Sequence, residues 1–212
     1  MITIYGRATS INVQKVMWTV GELGLAHERI DLGGRHGGLE APEYLAMNPH
    51  RRVPTLRDGE TVVWESNAIM RYLAAQYGRG TLWAEDPGVR AQQDQWMDWL
   101  QTTLAPDFYG LFWAVVRTPQ EKRDDAAAAR LLERSAGHYR QLERQLGDKP
   151  YLLGDDLGLA DLALGATLHR WFTMEIARPR LPRLLDWYGR LQERPAYRRY
   201  AMVSYEELRG VT

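Results

Sequence analysis

The chain has 212 residues, no cysteine, and 27 basic against 27 acidic side chains, which gives a formal net charge of zero. A balanced charge argues against a nucleic-acid-binding surface, and the absence of cysteine excludes disulfides, thiolate metal sites and a catalytic cysteine. No apolar run approaches the roughly 20 residues of a membrane helix, and the first residues lack the pattern of a signal peptide. We therefore expect a cytoplasmic protein with two domains.

The first part of the chain alternates between strand and helix patterns. Short β-branched runs closed by glycine predict strands, and apolar residues at helical spacing predict helices. An Asp-Gly pair between two such runs indicates a hairpin. The predicted order is a strand at 2–6, a helix from Asn12 to Leu23, a strand at 27–32, a short helix at 42–47, a hairpin of 53–56 and 61–64, and a helix ending at Tyr77. Residues 1–77 are thus predicted to form an α/β unit with a mixed sheet.

The rest of the chain shows helical patterns only. Residues 78–88 are rich in glycine and turn formers and are predicted to be a linker. Helices are predicted over about 89–116, with a kink at Pro106, and over 120–146, 158–177, 182–193 and 196–208. Residues 89–212 are therefore predicted to form an all-α helical bundle.

Three short polar segments are candidates for a binding site. Ser10 and Asn12 lie in the turn before the first helix, where free backbone N–H groups and the helix dipole favour an anion. Val53-Pro54 precedes a strand and is a candidate cis peptide bond, because only proline makes the cis form accessible. Such a bond leaves the Val53 backbone available to a peptide-like ligand.

The third segment is the start of the helix at Glu65-Ser66. There the Ser66 hydroxyl and N–H suit a carboxylate, while the Glu65 side chain suits an ammonium group. Together the three segments suit an elongated ligand with an α-amino acid head, a peptide middle and an anionic group near the first helix. Glutathione, γ-glutamyl-cysteinyl-glycine, has all three features.

The chain resembles the cytosolic glutathione transferases over nearly its whole length. The resemblance rests on the stretches SINVQKVMWTVGELGL, EYLAMNPHRRVPTL, VVWESNAIMRYLAAQYG, YLLGDDLGLADLAL and LLDWYGRLQERPAYRR. It implies a thioredoxin-like N-terminal domain that holds glutathione as co-substrate and an all-α domain that supplies an electrophile pocket, in a homodimer that needs no metal. Carried over, it implies that Val53 contacts the cysteinyl backbone, that Glu65 and Ser66 hold the γ-glutamyl head, and that Arg52 reaches the glycyl carboxylate.

The similarity is to bacterial members near the theta, phi and beta classes, which use Ser or Cys at the start of the first helix. It implies that Ser10 donates a hydrogen bond to the glutathione thiolate. Several alternatives remain open at this point. Ser10 could instead cap the helix, and Asn12 could share or replace its role. A third alternative is Tyr5, which stands close to the position at the end of the first strand where the alpha, mu and pi classes have their catalytic tyrosine.

The implied reaction is attack of the thiolate on an electrophilic carbon, such as an activated halide, an epoxide or an enone. Two other functions use the same fold. A glutathione-dependent reductase would act on disulfides or peroxides, and a non-catalytic scaffold would keep the dimer without activating the thiol. The cap position of a later helix is Gly158, where the family usually has Ser or Thr, and Asp161 is expected to be structural.

Overall fold

The structure is a computed structural model that describes residues 1–211. The chain divides into two compact units. The first contains residues 1–85 together with residues 194–203, called here the returning segment, and the second contains residues 86–193 and the stretch from Ser204 onward. The change between units falls within the predicted linker. The expected uninterrupted domain 89–212 does not occur, because the returning segment packs with the first unit.

A four-stranded mixed sheet forms the centre of the first unit, in the order β2-β1-β3-β4. β1 (Ile2–Tyr5) pairs parallel with β2 (His27–Ile30) and antiparallel with β3 (Thr55–Asp58), which pairs antiparallel with β4 (Thr61–Trp64). Ile4, on the central strand β1, is fully buried. The mixed sheet predicted from the sequence is therefore confirmed.

Three helices complete the α/β arrangement of the first unit, and the returning segment adds a fourth. They are α1 (Ile11–Glu22), α2 (Pro42–Met47), α3 (Ser66–Tyr77) and α9 (Pro195–Tyr200). The third strand begins at Thr55, two residues later than predicted. Pro54 has no N–H to donate to a strand ladder, and the pairing of β3 with β1 ends at Thr55.

The strand register brings three chain segments to one edge of the sheet. Tyr5 pairs with Thr55, and Thr55 pairs with Trp64, so these residues form one row. Because β3 is antiparallel to both neighbours, β1 and β4 leave the sheet at this row and β3 enters there. The turn after β1, the residues before β3 and the start of α3 are therefore neighbours. These are the three segments predicted to form the binding site.

The second unit is built of helices, as predicted. They are α4 (Pro87–Trp99), α5 (Ala105–Phe112), α6 (Asp125–Leu146), α7 (Leu159–Thr173) and α8 (Pro182–Glu193). The core centres on α7, where the ring of Trp171 stacks on that of Tyr139 with centroids 4.1 Å apart. None of the described helices is long and apolar enough to span a lipid bilayer.

The helix predicted over 89–116 is interrupted twice. Wider π-helical turns at Leu100–Leu104 and Trp113–Arg117 lie before and after α5. Pro106 falls in the first turn of α5, where its missing N–H disrupts the hydrogen-bond pattern least. A π-helical turn, Leu100–Leu104, lies directly before the segment with this proline, and π-helical turns and prolines are both sites at which helices kink. The last predicted helix, 196–208, is also shorter and consists of α9 and one 3-10 turn at Glu206–Leu208.

Candidate active site

Ser10 stands at the N-terminus of α1. Its backbone is extended, with φ −84° and ψ 122°, as in an N-cap residue, but its hydroxyl makes no capping hydrogen bond. Its carbonyl oxygen accepts a hydrogen bond from the N–H of Gln14 at 2.9 Å. The hydroxyl is half-buried at a helix end that favours negative charge. Capping, the alternative role considered for Ser10, is not the role that this geometry uses.

Asn12 and Ser66 connect the start of α1 to the start of α3. The Ser66 hydroxyl donates to Oδ1 of Asn12 at 3.3 Å, and Ser66 is 2% exposed. The backbone N–H of Ser66 lies in the first turn of α3, where N–H groups have no partner within the helix. The structure therefore places Asn12 beside the predicted γ-glutamyl site.

Glu65 has an unusual backbone conformation for a residue with a side chain. Its φ is 70° and its ψ is 116°, and it precedes α3 without capping it through its side chain. A positive φ outside glycine costs of order 1–3 kcal/mol and persists only where the surroundings hold it. The conformation leaves Glu65 exposed next to buried Ser66. Such strain is common in ligand-binding turns.

The peptide bond between Val53 and Pro54 is cis, as predicted. Val53 lies outside the pairing of β3 with β1, which ends at Thr55. The side chain of Arg52 is exposed, whereas that of the neighbouring Arg51 forms an ion pair with Glu40 at 3.1 Å. The structure thus places Arg52 at the surface beside Val53.

A buried cluster that the sequence analysis did not single out holds this turn. The Tyr44 hydroxyl donates to the carbonyl oxygen of Arg52 at 2.5 Å, and Nδ2 of Asn48 donates to the same oxygen at 2.9 Å. Asn48 also donates to the hydroxyl of Thr55 at 3.0 Å, which lies 2.9 Å from the Tyr44 hydroxyl. Burial raises the pKa of Tyr44. In the sequence, the Asn48-Pro49 pair that follows the predicted helix at 42–47 indicates a helix end and gives no signal for this cluster.

Gly6 shows how closely the first two segments approach. A Cβ atom added there would lie 2.5 Å from Cγ2 of Val13 and 3.0 Å from Cβ of Val53. Its φ of 150° is also one that side chains rarely adopt. Glycine at this position therefore lets the turn after β1 pack directly on Val53. Tyr5, the remaining alternative, packs its ring edge-on against Tyr44, with centroids 6.2 Å apart.

Lys15 is a second feature that the sequence analysis did not recognise. It lies on α1, is fully buried, and donates from Nζ to Oδ1 of Asn67 at 3.0 Å. Burial lowers its pKa to about 7, an effect that the carboxylate of Glu65 opposes and Arg71 reinforces. Its sequence signal is a lone lysine on the face that carries Asn12, one helical turn earlier.

A cavity of about 390 Å³ lies on the first unit and borders the turn after β1 at Ala8. Its lining includes Gln14, Met17, His27, Arg29 and Tyr200, and none of the predicted site residues takes part. Among residues 1–211, no group of three potential metal-ligating side chains is present. The three segments bring together hydroxyl, amide, carboxylate, guanidinium and backbone groups.

Comparisons with known proteins identify the relatives of this chain. Family models described as "Glutathione S-transferase, N-terminal domain" and "Glutathione S-transferase, C-terminal domain" match residues 4–81 and 125–190. The Escherichia coli protein "Glutathione S-transferase GstB" is 40% identical over 205 residues, which are 96% of this chain and 99% of that protein. The theta-class glutathione S-transferase of Xanthomonas axonopodis pv. citri, solved with glutathione bound, has a TM-score of 0.92 and 47% identity and covers 96% of this chain and 98% of its own.

Proposed function

Because the chain belongs to the glutathione S-transferase family, we propose that its three converging segments form the glutathione site of the enzyme. As a glutathione transferase, the protein conjugates the glutathione thiol to electrophilic small molecules. The single observation that carries the proposal is the row Tyr5, Thr55 and Trp64, at which all three segments meet one edge of the sheet. A site of this kind suits the elongated, peptide-like shape of glutathione.

Each part of glutathione has a matching group in the proposed site. The Val53 backbone binds the cysteinyl residue, next to the cis bond to Pro54. The exposed Glu65 carboxylate binds the α-ammonium of the γ-glutamyl head, and the Ser66 N–H binds its carboxylate. The exposed guanidinium of Arg52 reaches the glycyl carboxylate. Asn12 supports the head group through its contact with Ser66.

Ser10 is the proposed donor to the thiolate. Lowering a thiol pKa from about 8.5 to about 6.5 requires roughly 2.7 kcal/mol. A hydrogen bond to a charged group contributes about 1.5–3 kcal/mol, and the N-terminus of α1 adds its dipole. The Ser10 hydroxyl is not engaged in capping, so it can donate to a sulfur at this position. A hydroxyl and a helix end are therefore sufficient to hold the thiol as its thiolate.

The test is a pH titration of thiolate absorbance with glutathione bound to the protein. We expect the bound thiol to ionise well below pH 8.5, and Ser10→Ala to raise its pKa by about 1–2 units. Ser204→Ala, a change of an exposed serine in the second unit, is the matched control and should have no effect. If the pKa of the bound thiol is unchanged in Ser10→Ala but raised in Asn12→Ala, the donor to the thiolate is Asn12 and not Ser10. Unchanged values in both variants would exclude side-chain activation from this turn.

The electrophile class and the cellular role follow as further parts of the proposal. We propose that the thiolate attacks activated halides, epoxides or enones in detoxification in the cytoplasm, where its thiol co-substrate stays reduced. Turnover of an aryl halide with glutathione supports this role. Turnover of a mixed disulfide but not of the halide would instead identify a reductase, and binding without turnover would identify a scaffold.

We also propose that the enzyme is a homodimer. β4 is an edge strand of the sheet, and its side chains Val62 and Trp64 are each 38% exposed. Tyr77 at the end of α3 is 40% exposed. Large apolar groups on an open strand edge mark a surface for association. A second copy of the chain is the partner that the proposal assigns to it.

A further inference from the structure

Lys15 occupies a position that packing alone does not explain. A buried ammonium group is costly unless its surroundings satisfy it, and this lysine is fully buried within α1. A leucine or methionine would fill the same volume at no such cost. The question is therefore what the ammonium does that an apolar side chain could not do.

The contacts of Lys15 lead to the start of α3. Its Nζ donates to Oδ1 of Asn67 at 3.0 Å, and Asn67 is 8% exposed. Asn67 is the second residue of α3, directly after Ser66 and two residues after Glu65. The carboxylate of Glu65 attracts the Lys15 ammonium, and the guanidinium of Arg71 repels it.

Two contacts therefore fix the start of α3 to one face of α1. Asn12 accepts from the hydroxyl of Ser66, and Lys15, one helical turn later, donates to Asn67. Between them they hold the residues that follow Glu65, whose φ of 70° requires support from its neighbours. Without the Lys15 contact, Asn67 loses the hydrogen bond that joins it to α1, and the start of α3 is held less firmly.

We propose that Lys15 is a positioning residue that holds Glu65 and Ser66 in the conformation that receives the γ-glutamyl head of glutathione. It acts through Asn67 from inside the protein and does not touch the substrate. The inference rests on the proposed function, because it presupposes that Glu65 and Ser66 bind that head group. It adds that the selectivity of the site for glutathione over shorter thiols is set partly from the buried side of α1.

The test compares glutathione with cysteinylglycine, which lacks the γ-glutamyl head. We expect Lys15→Met to raise the Kd of glutathione about tenfold, the equivalent of one lost hydrogen bond to a charged group, and to leave the weak binding of cysteinylglycine unchanged. The melting temperature should not fall, because methionine replaces a desolvated charge with an apolar group of similar length. A purely structural role for Lys15 predicts the opposite, with lower stability and both ligands affected alike.

Two further variants keep the inference testable if Lys15→Met does not fold. Asn67→Leu should weaken glutathione binding to the same extent, and the double variant should lose no more than either single change. Thr19→Val is the matched control, because Thr19 is fully buried on the same helix and its hydroxyl donates to the carbonyl oxygen of Lys15. It should leave the affinity for glutathione unchanged.

The outcomes separate this inference from the proposed function. If the unaltered protein binds both thiols equally, the γ-glutamyl site itself is wrong. If it prefers glutathione and Lys15→Met keeps the full preference, the site stands and the role of Lys15 is overturned. Additive losses in the double variant would show that Lys15 does not act through Asn67.

Discussion

At the scale of single residues, the buried side chain of Lys15 makes the stability of the protein depend on pH. Burial lowers the pKa of Lys15 to about 7 from the ordinary value of 10.5. Between these pH values the unfolded chain holds one more proton than the folded chain, so the free energy of unfolding rises with pH. The burial of Lys15 therefore destabilises the folded protein fully below pH 7, and this effect decreases progressively as the pH rises from 7 to 10.5.

This linkage predicts a difference between the protein and its Lys15→Met variant. From pH 7 to pH 9 the free energy of unfolding should rise by about 2 kcal/mol more in the unaltered protein. Urea unfolding at pH 7, 8 and 9 measures the two curves. Glu65 and Arg71, the charged groups that act on Lys15, are present in both proteins. Parallel curves would mean that Lys15 keeps an ordinary pKa.

The residues of the site differ in how far the sequence could reveal them. Ser10, Val53 and Ser66 stand in local patterns, since helix starts and an X-Pro bond are visible in a few adjacent letters. The cluster of Tyr44, Asn48 and Thr55 and the contact of Lys15 with Asn67 are not local. They arise from side chains distant in sequence that meet only after folding, and a single sequence has no signal for such pairs.

At the scale of elements, α7 begins with a glycine in place of a capping side chain. The N–H of Gly158 and that of Leu152 donate to the buried carboxylate of Asp161 at 2.9 and 2.8 Å. The N–H of Ala160, which a capping serine would satisfy, instead donates to Oε1 of Gln93 at 2.8 Å. The side chain of Gln93, on α4, thus provides the cap that Gly158 lacks. Asp161 has the structural role expected from the sequence.

This arrangement predicts a compensating pair. Gln93→Ala should lower the free energy of unfolding by about 1 kcal/mol and the melting temperature by roughly 2–4 °C. A Cβ on Gly158 would lie 2.3 Å from Nε2 of Gln93, so serine fits only after that side chain is shortened. Adding Gly158→Ser to Gln93→Ala should therefore restore most of the loss in thermal unfolding. A double variant no more stable than Gln93→Ala alone would refute the exchange of caps.

Element limits were predictable where local chemistry sets them. α2 and β4 have the predicted bounds, because proline, asparagine and an Asp-Gly turn border them. The π-helical turns around α5 were not predictable, since a π-helical turn differs from an α-helical turn by one residue per hydrogen bond and has no distinct apolar period.

At the scale of the whole molecule, the proposed dimer makes a direct prediction. Trp64→Lys should convert the protein to a monomer, because it places a charge in the apolar surface of β4. Leu185→Lys is the control, since Leu185 is 53% exposed on α8 and has no part in the proposal. Light scattering after size-exclusion chromatography measures both masses. A Trp64→Lys variant with the mass of the unaltered protein would exclude β4 as the interface, and a monomeric unaltered protein would exclude the dimer.

The returning segment was the largest departure from the predicted domain organisation. Arg194 binds the Glu22 carboxylate through two nitrogens, at 2.8 and 2.6 Å, and the ring of Tyr197 packs on that of Trp18 at 4.6 Å. These partners are separated by most of the chain. The sequence predicted a helix near 196–208 but had no means to show which unit it joins, because amphipathic patterns reveal a buried face and not its partner.

This segment has a consequence for how the protein is made. Residues 1–85 are synthesised well before residues 194–203, and at typical synthesis rates the delay is on the order of 10 s. Until then Trp18, fully buried in the finished protein, lacks the ring of Tyr197. The first unit begins the chain, but it reaches its final fold only after residues 194–203 have been synthesised.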